Sequence, residues 1–141
     1  MCGEIDDQTE IGQDLKEHMR VLARVMELGS TEGKSPRGLA SEDGRAVYMN
    51  AIFRDGLARA MADVASAEEA EAVDAIASQA IALARLAGFL AGQLPPEADL
   101  FRAVIEATAA GHSEPRAMAE ERRAQHHGHH HDHDHHHDHT H

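Results

Sequence analysis

Apolar residues recur at alternating intervals of three and four between Val73 and Leu94. This spacing is the heptad pattern of a helix that packs along one seam against another helix. The seam positions are Val73, Ile76, Ala80, Leu83, Ala87, Leu90 and Leu94. Small residues at alternate positions let a second helix approach closely. The segment is therefore predicted to be the central helix of an all-α fold, with the seam either in an intrachain core, which we favour, or in a dimer interface.

The composition agrees with helices rather than sheets. Aromatic residues make up only 3% of the 141 residues, and there is no Trp. A core must then be built from Ala, Leu, Ile, Val and Met, whereas strands are enriched in aromatic and β-branched residues. We predict a bundle of four or five helices followed by a disordered, His-rich C-terminal tail.

Helix-stop and helix-start signals divide the chain into three predicted regions: a flexible leader (1–8), a helical bundle (9–125) and the tail (126–141). Gly29 is predicted to stop the first helix, Ser66 to cap the third, and Gly111 to cap the fourth, with a shorter polar helix at 113–125. The predicted helices are 9–28, 44–65, 67–94 and 96–110. The predicted inner face of the second helix comprises Met49, Ile52, Phe53, Leu57, Met61 and Val64.

The charge balance excludes several partners. A formal net charge of −12 repels nucleic acid phosphates and anionic membrane surfaces, so we expect neither as a partner. The start of the sequence has no basic region followed by an apolar stretch, which favours the cytoplasm. The most apolar window, 76–94, has Arg85 near its middle and contains six Ala, which insert weakly, so a soluble helix is expected.

Eleven of the last sixteen residues are histidine. Neutral imidazole is the commonest metal-binding side chain and suits zinc, nickel, cobalt and copper. The predicted ligands are His126, His127, His129, His130, His131, His133, His135, His136, His137, His139 and His141, with Asp132, Asp134 and Asp138 as accessory ligands. Because thiols are nearly absent, copper(I) is disfavoured and nickel or zinc is expected, with cobalt as a further candidate. A pH-responsive solubilising tail is the alternative.

The composition of 126–141 resembles the His-rich tails of nickel-handling accessory proteins. These include the GTPases of hydrogenase maturation, a nickel-binding prolyl isomerase, the urease metallochaperone and a small nickel protein of carbon monoxide dehydrogenase. Zinc-handling proteins carry similar tracts. The resemblance implies metal collection and delivery to a protein partner or metalloenzyme. The preceding residues show no GTPase or prolyl-isomerase motif, so it carries over neither activity.

Three residues outside the tail are accessory metal-ligand candidates. His18 lies in the apolar stripe of the first helix and is expected to be a half-buried, neutral side chain rather than a ligand. His112 follows Gly111 and is expected at a helix C-terminus. Cys2 would offer a thiolate beside a free amine once Met1 is removed, as in some small nickel-handling proteins that also begin Met-Cys. A mobile cysteine without a ligand role is the expected alternative.

No sequence motif supports an enzyme. The chain lacks the Gly-x-Ser-x-Gly, His-Glu-x-x-His and Cys-x-x-Cys patterns, and the spacing around Gly33-Lys34-Ser35 does not fit a phosphate-binding loop. We therefore expect a cytoplasmic, non-enzymatic protein that collects, buffers or delivers nickel or zinc. The alternative is a helical interaction or ligand-binding module without a metal role. The segment 84–111 resembles the ligand-binding and dimerisation half of helical bacterial repressors.

Overall fold

Four α-helices account for most of the described chain. The computed structural model describes residues 3–29, 33 and 35–127, and these contain no strand. The helices are α1 (Gly3–Val25), α2 (Glu42–Ser66), α3 (Ala72–Ala91) and α4 (Leu100–His127), with 3-10 turns at Glu69–Glu71 and Pro96–Ala98. The all-α prediction is confirmed. The chain divides into two units, Met1–Leu94 and Pro95–His141, which are described separately.

Helix α1 ends in a Schellman motif that is centred on Glu27. The Leu28 N–H donates to the Ala23 carbonyl at 2.9 Å, and the Glu27 N–H donates to the Arg24 carbonyl at 3.1 Å. Glu27 takes the left-handed conformation, with φ of 53°. Glycine is the usual residue at this position because it has no Cβ. The predicted stop at Gly29 is therefore two residues too late.

Helix α1 also begins earlier than the sequence predicts. Its first residue is Gly3, so the predicted flexible leader over 1–8 is helical from Gly3 onward. The leader was expected because residues 1–8 are polar and contain a single large apolar residue, Ile5, within the described part. A polar segment can nevertheless extend an existing helix, because adding one residue to a helix is far easier than nucleating a new one.

Ser41 caps the N-terminus of α2. Its hydroxyl oxygen accepts a hydrogen bond from the Gly44 N–H at 3.0 Å and donates to the Gly38 carbonyl at 3.2 Å. Gly38 has φ of 77°, where glycine is favoured, and the Arg45 guanidinium donates to the Leu39 carbonyl at 3.0 Å. A Cβ on Gly44 would collide with the Gly38 carbonyl. The turn before α2 therefore requires two glycines and a capping serine.

The connection between α2 and α3 differs from the prediction. Ser66 is the last residue of α2, and Ala67 follows as the C-cap, with its N–H directed at the Asp63 and Val64 carbonyls. The predicted role of Ser66 as the N-cap of the third helix is therefore wrong. Helix α3 begins at Ala72 after a 3-10 turn and has no side-chain cap. A serine cannot cap a helix while the preceding helix still includes it.

Small residues form the contact between α2 and α3. The two helices pack against each other, and the half-buried residues nearest the hairpin turn are Gly56, Ala60 and Val64 in α2 and Ala72, Ala75 and Gln79 in α3; Gly44, Ala87 and Gly88 are also half-buried. Of the six predicted inner-face residues of α2, only Val64 is half-buried, and the other five are exposed. The prediction was wrong because small side chains allow the closer approach of two helices. The large apolar side chains lie beside that contact.

The seam of α3 is mostly exposed within the chain. Ala91 is the only buried apolar residue in the described part, at 9% exposure, while Val73, Ile76, Leu83 and Leu90 are all exposed. The expectation that the seam lies in an intrachain core is therefore wrong for these four positions. By length and composition, the stretch Glu69–Ala91 could also cross a membrane, a criterion that core helices of soluble proteins meet as well.

Helix α4 continues through the residues that were predicted to interrupt it. It runs from Leu100 to His127 with Pro115 inside it, so Gly111 is not a C-cap and 113–125 is not a separate helix. Proline lacks an N–H, which leaves the carbonyl four residues earlier without its helical donor. The Ser113 hydroxyl bonds to the neighbouring Ala109 carbonyl at 2.8 Å. The helix therefore tolerates one missing hydrogen bond and does not end.

Candidate metal-binding residues

The histidine-rich segment begins inside helix α4. His126 and His127 are the last two residues of that helix, and the His126 side chain is exposed. The segment was predicted to begin after the helices, so the helix overlaps it by two residues. The other nine predicted histidine ligands, from His129 to His141, and the three accessory aspartates lie outside the described residues.

The surroundings of His126 within α4 contain cations rather than further ligands. On a helix, side chains three and four residues apart are neighbours, and the two preceding neighbours of His126 are Arg123 and Arg122. Arginine suits the last turns of a helix because the C-terminal end of the macrodipole is negative. It does not bind metal ions, because guanidinium stays protonated. The preceding helical turn therefore gives His126 no partner ligand.

His18 lies at the edge of the inward face of α1. The half-buried large residues of α1 are Leu15, Met19 and Leu22, and His18 is exposed beside them. The expected half-buried environment is therefore wrong. Glu17, a neighbouring carboxylate, is paired with Arg20 at 2.8 Å between Nη1 and Oε2. His18 thus remains a single accessible imidazole without an assembled set of ligands.

His112 lies within a continuous helix rather than at a helix end. Helix α4 includes residues on both sides of it, and its side chain is exposed. The predicted position at a helix C-terminus is therefore wrong, and with it the expected interaction with the helix dipole. His112 does not lie beside the beginning of the histidine-rich segment, because His126 is 14 positions further along the same helix.

The described residues contain no assembled metal site. Within residues 3–29, 33 and 35–127, no group of three or more His, Cys, Asp or Glu side chains lies close enough to hold one ion. Cys2, the remaining accessory candidate, lies outside the described residues. Any binding by His18 or His112 would therefore use fewer protein ligands from the described residues than the three or four of typical zinc sites.

An apolar groove on the first unit was not predicted from the sequence. It has a volume of about 430 Å³ and runs along α1, and its apolar lining includes Leu15, Met19, Leu22, Met26 and Phe89. Lys16 and Arg20 also line it, and no histidine, cysteine or carboxylate does. The available signal was the pair of methionines beside the α1 stripe, since methionine adapts to irregular apolar surfaces. The groove offers apolar contact without catalytic groups.

Comparisons with protein-family models, characterised proteins and solved structures find no match to this chain. No activity can therefore be transferred from a relative. The chemistry of the residues themselves is the basis for assigning a function. The residues with the most distinctive chemistry are the imidazoles of 126–141.

Proposed function

We propose that this protein binds nickel or zinc through residues 126–141 and buffers the metal or delivers it to a recipient protein. The observation that carries the proposal is the presence of eleven histidines among sixteen residues, with no Lys or Arg between them. Imidazole nitrogen is a preferred ligand of both metals, and cobalt fits the same ligands. The segment is expected to exchange one of these metals for another, because it contains no thiolate that would favour a soft metal ion over them.

The spacing of the histidines supports collection rather than catalysis. They are interrupted irregularly by Gly, Asp and Thr, so different sets of three or four imidazoles can serve as ligands. The capacity is then on the order of two to four ions per chain. Each site must order a chain segment on binding, which lowers affinity and favours fast exchange. These are useful properties for a protein that takes up and passes on metal ions.

The proposal assigns the helical residues a role other than primary metal binding. His18 and His112 are exposed, and neither belongs to a group of three or more ligand side chains in the described part of the chain. A second candidate function, an interaction module without a metal role, is favoured by a separate observation. Large apolar side chains are exposed on α1, α2 and α3, and such surfaces usually contact another molecule.

Calorimetric titration of nickel and zinc at pH 7.5, in a buffer that does not chelate, tests the proposal. The variant to compare with the full chain ends at His127, so that helix α4 keeps its described length while nine of the eleven histidines are removed. We expect several ions to bind the full chain and at most one weakly bound ion to remain in the variant. Circular dichroism should show the helices unchanged.

A matched control separates the tail from the helices. Replacement of His18 and His112 by Ala in the full chain removes the two exposed helical imidazoles and should leave the stoichiometry unchanged. If the chain ending at His127 retains the full stoichiometry, the proposed function is wrong. If instead the H18A/H112A double variant loses the ions, the metal site lies on the helices and not in 126–141.

A further inference from the structure

Helices α2 and α3 together present an exposed apolar surface, here named the α2–α3 face. Its large side chains are 47% to 72% exposed: Met49, Phe53, Leu57 and Met61 from α2, and Val73, Ile76, Leu83 and Leu90 from α3. At about 100–200 Å² for each whole side chain, these eight leave roughly 450–900 Å² exposed. The largest apolar patch of a typical monomer is about 300–600 Å², whereas each partner in a stable interface buries about 800 Å².

The two helices direct these residues to the same side. The five-residue connection Ala67–Glu71 makes α2 and α3 antiparallel neighbours. At about 100° per residue, the large apolar residues of each helix lie on average roughly 40–70° around its axis from the half-buried residues nearest the hairpin turn, in the same rotational sense. For antiparallel helices, the same rotational sense means the same side of the pair. The eight residues therefore form one continuous face.

The seam of α3 is symmetrical in side-chain size about Leu83. Within α3, the five positions from Ile76 to Leu90 read large, small, large, small and large from either end: Ile76 and Leu90 are each seven residues from Leu83, and Ala80 and Ala87 are three and four residues from it. In an antiparallel pair of identical helices, Leu83 would meet its own copy. Ala80 would then meet Ala87 of the other chain, and Ile76 would meet Leu90. Two-fold symmetry requires such a self-complementary surface.

Helix α2 shows a similar symmetry at nearly the same position along the hairpin. Its face residues pair about position 55, since Met49 and Met61 are equally distant from it, as are Phe53 and Leu57. If Ala67 lies opposite Ala72 across the turn, equal rise along both helices places position 56 opposite Leu83. The centre of the α2 pattern is then one residue from the position opposite Leu83. One two-fold axis can therefore pass near both centres, position 55 of α2 and Leu83 of α3.

The charges of the chain do not oppose this contact. Helix α3 carries only Asp74 and Arg85 as charged residues, and both lie on the side opposite the seam. Within α2, Arg45 lies on the same side as Met49, four residues before it, and Arg54 lies at the edge of the face. At the end of the seam, Leu90 and Leu94 line an open apolar groove of about 250 Å³ with Leu15 and Met19 of α1.

We propose that a second copy of this chain covers the α2–α3 face. The two hairpins form an antiparallel four-helix bundle in which α3 packs on α3 and α2 packs on α2 across a two-fold axis near Leu83. Val73 and Ile76 of one chain lie against the groove beside Leu90 and Leu94 of the other. This inference is independent of the proposed metal function, and its test is made without metal.

The first measurement is the mass of the full chain in solution by light scattering, with EDTA present so that no metal bridges two chains. We expect twice the chain mass of 15.3 kDa. Leu83→Glu places two like charges at the axis and should give a monomer. Ile81→Glu is the matched control, because Ile81 is 72% exposed on the opposite side of the same helix, and this variant should stay dimeric.

Cross-linking tests the direction of the helices and does not depend on a disruptive variant. In a Cys2→Ser background, Leu83→Cys should cross-link to itself with a short bismaleimide. Ile76→Cys and Leu90→Cys should each fail alone but should cross-link when the two variants are mixed. Self-cross-linking of Ile76→Cys would instead indicate parallel helices and would overturn the proposed arrangement.

A monomeric mass for the unaltered chain would overturn the dimer. The same conclusion follows if the chain is monomeric in solution, floats with phosphatidylcholine vesicles, and loses this flotation on Leu83→Glu. The face would then contact a membrane and not a second copy. Dissociation by Ile81→Glu as well as by Leu83→Glu would also overturn the proposed surface. Metal titration of the Leu83→Glu variant should still give the full stoichiometry.

Discussion

The α2–α3 hairpin and the histidine-rich segment depend on their sequences in different ways. In the hairpin, each side chain has one position on a helix, and a shift of one residue would turn it by about 100° away from its face. In residues 126–141, eleven identical side chains offer interchangeable nitrogen ligands. Under the two proposals, residue order determines the contact that the hairpin makes, whereas composition determines the metal binding of residues 126–141.

The largest expected effect separates composition from order in the tail. Replacing the eleven histidines of 126–141 by Gln should abolish nearly all nickel and zinc binding, because the amide is a poor ligand for these metals. A second variant, in which the same sixteen residues are placed in a different order, should keep the stoichiometry of the unaltered chain. Calorimetric titration measures both. A reordered tail that loses its ions would show that specific spacing matters there too.

A smaller effect tests the dependence of the hairpin on position. Gly44→Ala should lower the free energy of unfolding by about 1–3 kcal/mol, because the added methyl group collides with the Gly38 carbonyl and disturbs the Ser41 cap. The matched control is Gly12→Ala in α1, where a Cβ meets nothing within 4 Å. It should raise that free energy by about 0.5–1 kcal/mol.

Urea denaturation of both variants, at one fixed protein concentration, provides the comparison. The fixed concentration matters because association of two chains would add to the apparent stability. Equal effects of the same sign at Gly44 and Gly12 would contradict the described turn before α2.

The smallest expected effect concerns the end of α1. Glu27 holds a left-handed conformation with φ of 53°, which costs energy for a residue with a Cβ. Glu27→Gly should therefore raise the free energy of unfolding by up to about 1 kcal/mol. Glu10→Gly, in the middle of the same helix, should lower it by a similar amount. Thermal unfolding followed by circular dichroism distinguishes the two, and destabilisation by Glu27→Gly would argue against the Schellman motif.

The helices could be predicted from the sequence more reliably than their ends and contacts. Periodic apolar residues located α1, α2 and α3 within a few residues. The ends were missed because several residues compete for each role: Glu27 ends α1 although Gly29 follows, and Ser66 belongs to α2 although its residue type suits a cap. Pro115 lies inside α4 and does not end it, because α4 tolerates the loss of the one hydrogen bond that proline removes.

The faces of α2 could not be assigned from hydrophobicity alone. Periodicity identifies an apolar face but does not identify what covers it. The contact with α3 uses Gly56 and Ala60, whose small size counts little in a hydrophobic pattern but allows two backbones to approach. For the candidate site, the prediction that the histidines of 126–141 bind metal rests on composition alone. The isolation of His18 and His112 could be learned only from the structure, because it depends on which side chains the fold brings together.

The uninterrupted path of α4 through Pro115 has a consequence for reach. A helix of 28 residues is about 42 Å long at 1.5 Å per residue. The first imidazoles are thus held at the far end of a rod from Leu100, and the fourteen residues that follow His127 add at most about 50 Å of chain. Under the proposed function, an ion bound at this end of α4 would enter a recipient's recessed entrance while the start of α4 stays outside it.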